Sequence, residues 1–379
     1  MKKVLHIAAY YPPSIGGIEQ VAFDVVHALA GEYEQIVLCF NHEKGNAETI
    51  EDGVRVIRVK AQLKVSSQSI AFGFKKTLKK LLYSFQPDFI HFHFPNPYIT
   101  HCLLKQKFTA RLFVHYHSDI VKQKILGKFF VGQTKRLLRR VDKIIATSPN
   151  YIEGSPYLRL YRDNCTVIPN AVNERRLTVA SAAEAICGEI RNAYRDKIIC
   201  LFVGRHVPYK GLKYLIQAVE LSNKNIVFLI AGTGKLTDSL KKQAKGNPNI
   251  RFIGKLNPEQ LTGHYLACDI FTFPSITRNE AFGLALAEAM WFSKPTVTFT
   301  IPGSGVNYVS LNGVTGIECP NGDSAALADA VNKLAVDSVL RAELGANARN
   351  RTEGNFLFNG FKENIKDLYH GGKRDENSD

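Results

Sequence analysis

Four groups of residues in this chain have types and spacing that could do chemistry. The run Gly204-Arg205-His206-Val207-Pro208-Tyr209-Lys210-Gly211 sets two cations five residues apart, just after an apolar stretch. In an open α/β sheet, ligands bind beyond the carboxyl ends of the strands, and two cations there suit a diphosphate. The run from Arg278 to Glu288 carries carboxylates at Glu280 and Glu288 amid Ala and Leu. On a continuous helix, eight residues advance roughly 800° and about 12 Å, so the two carboxylates should point roughly the same way. A carboxylate among apolar neighbours needs a partner; sugar hydroxyls or a buried Arg or Lys would each serve. Gly16-Gly17, after the first apolar run, would let the backbone approach an anion at a helix start, or would be a plain turn. His117, in Tyr116-His117-Ser118-Asp119, stands where a strand should end. His91, His93 and His115 lie nearby, but alternation is expected to spread them over both strand faces. No pair has the i, i+4 spacing of a zincin and no acid accompanies them, so no metal site is expected.

These residues need a scaffold, and the hydrophobic pattern supplies one. Apolar runs alternate with helix-period segments, the signature of βα units and parallel sheets. In the first half, strands are expected at Val4–Tyr10, Gln35–Phe40, Val54–Val59, Phe89–Phe94, Leu112–Tyr116, Lys143–Ala146 and Thr166–Pro169. In the second they are expected at Ile198–Val203, Ile226–Ala231, Ile250–Ile253, Asp269–Phe273 and Thr296–Phe299, with a helix over Gly211–Leu221. The opening MKKVLHIAAYYPPS is read as the first strand, since its apolar part is short and Pro12-Pro13 follows with no small-residue cleavage site.

The 379 residues suit two domains, and no apolar run reaches the length of about 20 needed to span a bilayer. Seven scattered cysteines form no C-x-x-C pair, which argues against a disulfide framework or structural zinc and for a reducing compartment. The net charge is +15, and between Lys75 and Lys143 fifteen Lys and Arg face three acids. That segment should attract polyanions, whether nucleic acid, an anionic membrane or a phosphorylated lipid, unless it is simply a solvated basic surface. Within it, Phe74–Phe85 and Lys122–Val141 each combine an apolar face (Phe74, Leu78, Leu81, Leu82, Phe85; Ile125, Phe129, Leu137, Val141) with flanking Lys and Arg. Such helices can lie in a membrane interface, or can pack that face on a sheet.

Taken together, the ordered motifs resemble the retaining family 4 glycosyltransferases of the GT-B fold. They are GGIEQ at 16–20, HSD at 117–119, SPNY at 148–151, VIPNAV at 167–172, GRHVPYKGL at 204–212, AGTGKL at 231–236, Glu-x7-Glu at 280–288 and PGSGVNYVSLNGVTG at 302–316. HFHFPNP followed by YHSDIVKQK resembles the mannosyltransferases of bacterial surface-polysaccharide, lipopolysaccharide O-antigen, synthesis. Ala171, Tyr209 and Lys235 depart from the family's usual residues. The resemblance implies an α/β chain of two Rossmann-like domains facing each other across a cleft. Residues 1–170 would be the acceptor-side domain, 171–196 a linker and lead-in helix, and 197–355 the nucleotide-sugar domain. Residues 356–370 would be a helix returning to the first domain, and 371–379 a disordered tail.

The same resemblance implies roles. Arg205 and Lys210 would hold the donor diphosphate. Glu280, with the backbone of Phe282, Gly283 and Leu284, would hold the donor sugar, and Glu288 the ribose. His117 would contact the sugar and Gly16-Gly17 the phosphates. The expected donor is GDP-mannose or a UDP-hexose, the acceptor a lipid-linked saccharide. Neither a cofactor nor a metal is expected, and no nucleic acid partner. The expected location is cytoplasmic, peripheral on the inner face of the cytoplasmic membrane. Three other classes compete. A sugar-nucleotide epimerase shares the fold. A polyanion-binding protein would explain the basic segment but not the Arg, Lys and Glu set. A dinucleotide oxidoreductase would want the G-x-G-x-x-G that is absent.

Overall fold

The computed structural model describes residues 1–14, 16–41, 43, 45–65, 68–120 and 127–371, and at 64, 65, 68 and 127–129 the backbone alone. The chain divides into two compact units, Met1–Pro169 together with the chain from Asn359, and Asn170–Phe358. Residues 171–196 lie in the second unit and carry the helix Ser181–Ala193.

The first unit contains β1 (Lys3–Ile7), β2 (Glu34–Asn41), β3 (Ala47–Glu51), β4 (Val54–Lys60), the small hairpin β5 (Leu63–Val65) and β6 (Gln68–Ile70), β7 (Phe89–Phe94), β8 (Arg111–Tyr116), β9 (Lys143–Ala146) and β10 (Cys165–Val167). Its main sheet runs β10-β9-β8-β7-β1-β2-β4-β3, parallel except for β3. The second unit contains β11 (Ile198–Val203), β12 (Ile226–Ala231), β13 (Ile250–Gly254), β14 (Ile270–Phe273), β15 (Thr296–Phe299) and β16 (Gly316–Cys319), in the parallel order β13-β12-β11-β14-β15-β16. Counted along the chain that order is 3-2-1-4-5-6, the doubly wound Rossmann order. The first unit's parallel strands repeat it, with β10 added at one edge. In each sheet the strand order reverses beside the first strand, between β1 and β7 and between β11 and β14. That reversal opens a crevice at the strands' carboxyl ends.

The strands read as near-continuous apolar runs because helices cover both faces of a parallel sheet. All six residues of β7 and of β12 are buried. The helix Phe358–His370 belongs to the first unit, where it buries Phe361, Ile365, Leu368 and Tyr369. Full burial of an apolar side chain such as Phe361 or Ile365 stabilises by roughly 1.5–3 kcal/mol each. Tyr369 meets the rings of Phe89 and Phe113 at centroid distances of 4.9 and 5.0 Å, and Lys366 pairs with Glu32 at 2.6 Å. The polar tail expected from residue 371 falls on 372–379, outside the described residues. Among the described residues, no helix is long and apolar enough to cross a membrane.

Of the two alternatives for the basic amphipathic segments, the first segment takes packing on the sheet. In the helix Phe74–Ser84, the apolar residues Phe74, Leu78 and Leu81 are buried, and Phe74 packs on Phe40 with ring centroids 5.1 Å apart. This face is spent on the core, because the helix covers the sheet; the outward side carries the lysines and Tyr83. In the second segment a helix spans Gly127–Leu138, with Leu137, Leu138 and Val141 buried. Residues 122–126, including Ile125, and the side chains of Lys128 and Phe129 lie outside the described set.

Candidate active site

The second unit's crevice is built by the loops after β11 and β14. The chain leaves β11 through Gly204-Arg205-His206 and makes one tight turn over Pro208–Lys210. Gly211 ends that turn at φ +66°, and a Cβ there would stand 1.9 Å from the carbonyl oxygen of Pro274. Only glycine permits so close an approach with that backbone. The approach brings the two loops together, tied also by the Ile276 N–H donating to the Tyr209 carbonyl at 2.9 Å.

Lys210 and Glu280 meet across this junction. Lys210 Nζ lies 2.5 Å from Glu280 Oε2, with the two side chains only 10% and 12% exposed. Ser275 Oγ donates to the same carboxylate at 3.0 Å, and the ammonium lies 4.4 Å from the centre of the Phe273 ring. Arg205 is exposed; its Nη2 contacts Tyr209 Oη at 3.3 Å. The crevice at the strand reversal thus holds one buried, carboxylate-paired cation and one exposed cation.

The helix carrying Glu288 starts later than the pattern suggests. It spans Leu284–Trp291, with Gly283 at φ 91° as its cap. Glu280 lies in the preceding loop, so the helical projection relating it to Glu288 does not apply. Phe282 is buried edge-to-face on Phe356 at 5.4 Å. The late loop packs beneath: Ser304 Oγ donates to the Glu280 carbonyl, and a Cβ on Gly305 would lie 1.9 Å from the Ala281 oxygen.

Glu288 is held by its own partners. Arg176 Nη2 stands 2.5 Å from Oε1, and Tyr265 donates its hydroxyl to Oε2 at 2.9 Å. Burial raises the Glu288 carboxyl above its ordinary range, opposed by the charge of Arg176 and the Tyr265 hydrogen bond. The buried ion pair weighed for this residue is therefore what the structure contains. Neither Arg176 nor Tyr265 was singled out in the sequence. Arg176 lies 112 positions away, in a short turn between Glu174 and Leu177, with no periodic signal to mark it.

In the first unit, Gly16 has extended backbone and Gly17 opens the helix Gly17–Ala28 directly after the β1 loop. A Cβ on Gly16 would stand 2.2 Å from Glu19 Oε2, a contact a flexible side chain could relieve. His117 follows β8 and is buried. The HSD and SPNY motifs interlock here. Asp119 accepts hydrogen bonds from Tyr116 and Ser155, both at 2.7 Å, and its N–H donates to the Tyr151 hydroxyl at 2.8 Å. Ser148 caps the helix Pro149–Gly154 that carries Tyr151.

The histidines correct the expectation that alternation would separate them. Positions 91 and 93 are two apart and so share a face, and parallel register sets His93 beside His115. His91, His93 and His115 converge, with one candidate ligand atom from each within 4.8 Å of the others. His93 Nδ1 lies 3.1 Å from His117 Nε2, and the rings of His115 and His117 stack at 4.5 Å. Burial pushes His117 down to about 3 and His6 to about 4, and holds His91, His93 and His115 well below the usual imidazole value.

Comparison with known proteins fits this architecture. Residues 15–176 match the model of Glycosyltransferase Family 4, and residues 189–351 match Glycosyl transferases group 1. The O-antigen chain mannosyltransferase C of Escherichia coli is 34% identical over 358 residues, 93% of this chain and 94% of that protein. This chain belongs to glycosyltransferase family 4. The D-rhamnosyltransferase WbpZ of Pseudomonas aeruginosa is 30% identical, covering 92% of this chain and 91% of its own length. Among solved structures, sucrose-phosphate synthase from Thermosynechococcus elongatus superposes with a TM-score of 0.81 at 20% identity, covering 98% of each chain. Anabaena HepE, solved with UDP and glucose, gives 0.81 at 17% identity over 98% of this chain and all of its own. At such identities these two establish the fold alone, which is GT-B. The family assignment makes the chain a glycosyltransferase and removes the epimerase, polyanion-binding and oxidoreductase readings.

Proposed function

We propose that this glycosyltransferase moves a hexose, with retention at the anomeric carbon, from a nucleoside-diphosphate sugar to a lipid-linked saccharide of a surface polysaccharide. GDP-mannose is the favoured donor and a UDP-hexose the alternative. The observation that carries the proposal is the Lys210–Glu280 pair, buried at the strand reversal of a Rossmann sheet. The names of the E. coli mannosyltransferase and the P. aeruginosa rhamnosyltransferase support a polysaccharide acceptor.

Lys210 and Arg205 receive the diphosphate, where fixed positive charge stabilises the departing phosphate as the glycosidic bond breaks. The acceptor hydroxyl attacks the anomeric carbon from the face the diphosphate leaves, and its proton passes to the leaving phosphate oxygen. These cations meet the leaving-group charge, so the transfer requires no catalytic metal and no resident cofactor. Glu280, with the backbone of Phe282, Gly283 and Leu284, holds the sugar. Glu288 takes the ribose hydroxyls. In the first unit, His117 contacts the sugar and Gly16-Gly17 the phosphates. A screen of radiolabelled GDP- and UDP-sugars for transfer onto membrane lipid extract tests the reading. Label in lipid from GDP-mannose is expected; no transfer from any donor would sink it.

The enzyme works at the inner face of the cytoplasmic membrane, bound peripherally through the first unit. Exposed Lys75, Lys76, Lys79 and Lys80 support this, with Phe72 and Tyr83 beside them 67% and 85% exposed. Each Lys or Arg near an anionic surface contributes about 1 kcal/mol, so four suffice for reversible attachment. Co-sedimentation with phosphatidylglycerol vesicles should fall steeply with salt. Equal binding to neutral vesicles would remove the membrane claim.

A further inference from the structure

We propose that His91, His93 and His115 bind one divalent d-block cation of the zinc class, at a buried site within the first unit. The trio is assembled by topology. β7 puts His91 and His93 on one face, and the parallel register of β8 brings His115 beside His93. All three are at most 1% exposed, and one candidate ligand atom from each lies within 4.8 Å of the others.

Hydrogen bonds engage some of the ring nitrogens and leave two of the trio's open. His91 Nδ1 faces the Tyr369 hydroxyl at 2.8 Å, and His93 Nδ1 faces His117 at 3.1 Å. Among the described residues, Nε2 of His93 and Nε2 of His115 have no hydrogen-bond partner. His93 has the arrangement of a metal-bound imidazole, one nitrogen open for the ion and the other fixed by an outer partner; His91 Nε2 and His115 Nδ1 meet each other at 3.4 Å, a contact that the ion would replace at His91. His6 repeats the arrangement of His93 on β1, beside His91. Its Nε2 lies 2.8 Å from Gln35 Oε1, its Nδ1 has no partner among the described residues, and its ring lies 5.8 Å from that of His91. His6 borders the trio without belonging to the group of converging donors.

The donor chemistry selects the ion. Neutral imidazoles suit zinc, copper, nickel and cobalt, whereas magnesium and calcium want oxygen. Neutral imidazole is the form that binds metal. Bonds of about 2.0–2.1 Å set tetrahedral nitrogens roughly 3.4 Å apart, so loading draws the rings inward by about an ångström. The ion would link β7 and β8, would reach the C-terminal helix through Tyr369, and would fix His117 from behind through His93.

The test uses the full chain, made without a polyhistidine tag, stripped with chelator and titrated with Co2+. One equivalent should bind, with the visible absorption of tetrahedral nitrogen-ligated cobalt, bleached by Zn2+, and with a rise in unfolding temperature. His93→Asn and His115→Gln should each lose the band and weaken binding at least tenfold, whereas His27→Gln and His370→Gln, outside the cluster, should not. No band and no thermal shift in the wild type would overturn the site, as would an unchanged band in a folded His93→Asn protein. If both buried variants fail to fold, X-ray absorption of the zinc-loaded wild type decides. Three or four nitrogens at about 2.0 Å support the site, and an oxygen-only shell overturns it.

Discussion

Replacing Lys210 by Met keeps the volume and deletes the charge, and the structure says what should follow. Glu280, 12% exposed in its side chain, keeps its hydrogen bond from Ser275 but loses its counter-ion. Breaking a buried pair by removing one partner costs about 3–5 kcal/mol. The Ser275 bond places the expected loss near the lower end. Glu280→Gln leaves the ammonium with the Phe273 ring as its remaining close partner in this cluster, for a similar loss. The double variant pairs two neutral groups, so stability should return by about 1–3 kcal/mol relative to the sum of the singles. Catalysis should behave differently. If Lys210 stabilises the leaving diphosphate, turnover should fall by roughly a hundredfold in Lys210→Met and stay down in the double variant. Trp291 is the sole tryptophan and lies in the second unit, so its fluorescence follows that unit's urea unfolding without interference from the first. Strict additivity would show that the pair is no energetic unit. Recovery of turnover with stability would show that Lys210 serves only as counter-ion to Glu280.

Other consequences are as direct. Glu288→Gln should weaken binding of GDP or UDP while the fold survives; by calorimetry, unchanged affinity would leave Glu288 only its ion pair with Arg176. Arg176→Met should weaken the same binding less, since Tyr265 still holds Glu288, and an effect larger than that of Glu288→Gln would reverse the roles. Gly211→Ala must place a Cβ 1.9 Å from the Pro274 oxygen at φ +66°. Strain of this kind costs on the order of 1–3 kcal/mol, so the unfolding temperature and turnover should fall together. An unchanged melting curve would refute the close approach.

Much of the scaffold was legible because parallel strands are written as apolar runs. Phe89–Phe94, Lys143–Ala146, Ile198–Val203, Ile226–Ala231 and Thr296–Phe299 are the same in sequence and structure. β3, β16 and the short hairpin of β5 and β6 escaped because they have no such run. Ala47–Glu51 is a polar, mostly exposed edge strand, and Gly316–Cys319 is four residues at the other sheet's edge. The site was legible as residue types at strand ends, but its pairings were not. Lys210 meets Glu280 only because Gly211 lets two loops touch, a contact 70 positions apart that no periodicity announces. Arg176 reaches Glu288 in the same non-local way. The histidine cluster was misread for a different reason: period two gathers positions 91 and 93 on one face, and register adds 115.

The central claim is hexosyl transfer from a nucleotide sugar, and acceptor dependence tests it most directly. Purified enzyme is given GDP-mannose labelled in the sugar, with and without membrane lipid extract, and both free GDP and lipid-borne label are followed. Label should appear in the lipid and GDP should be released in equal amount, only when extract is present, with the anomeric configuration of the donor kept in the product. Sugar-nucleotide converted without acceptor, or GDP released with no label transferred, would contradict it.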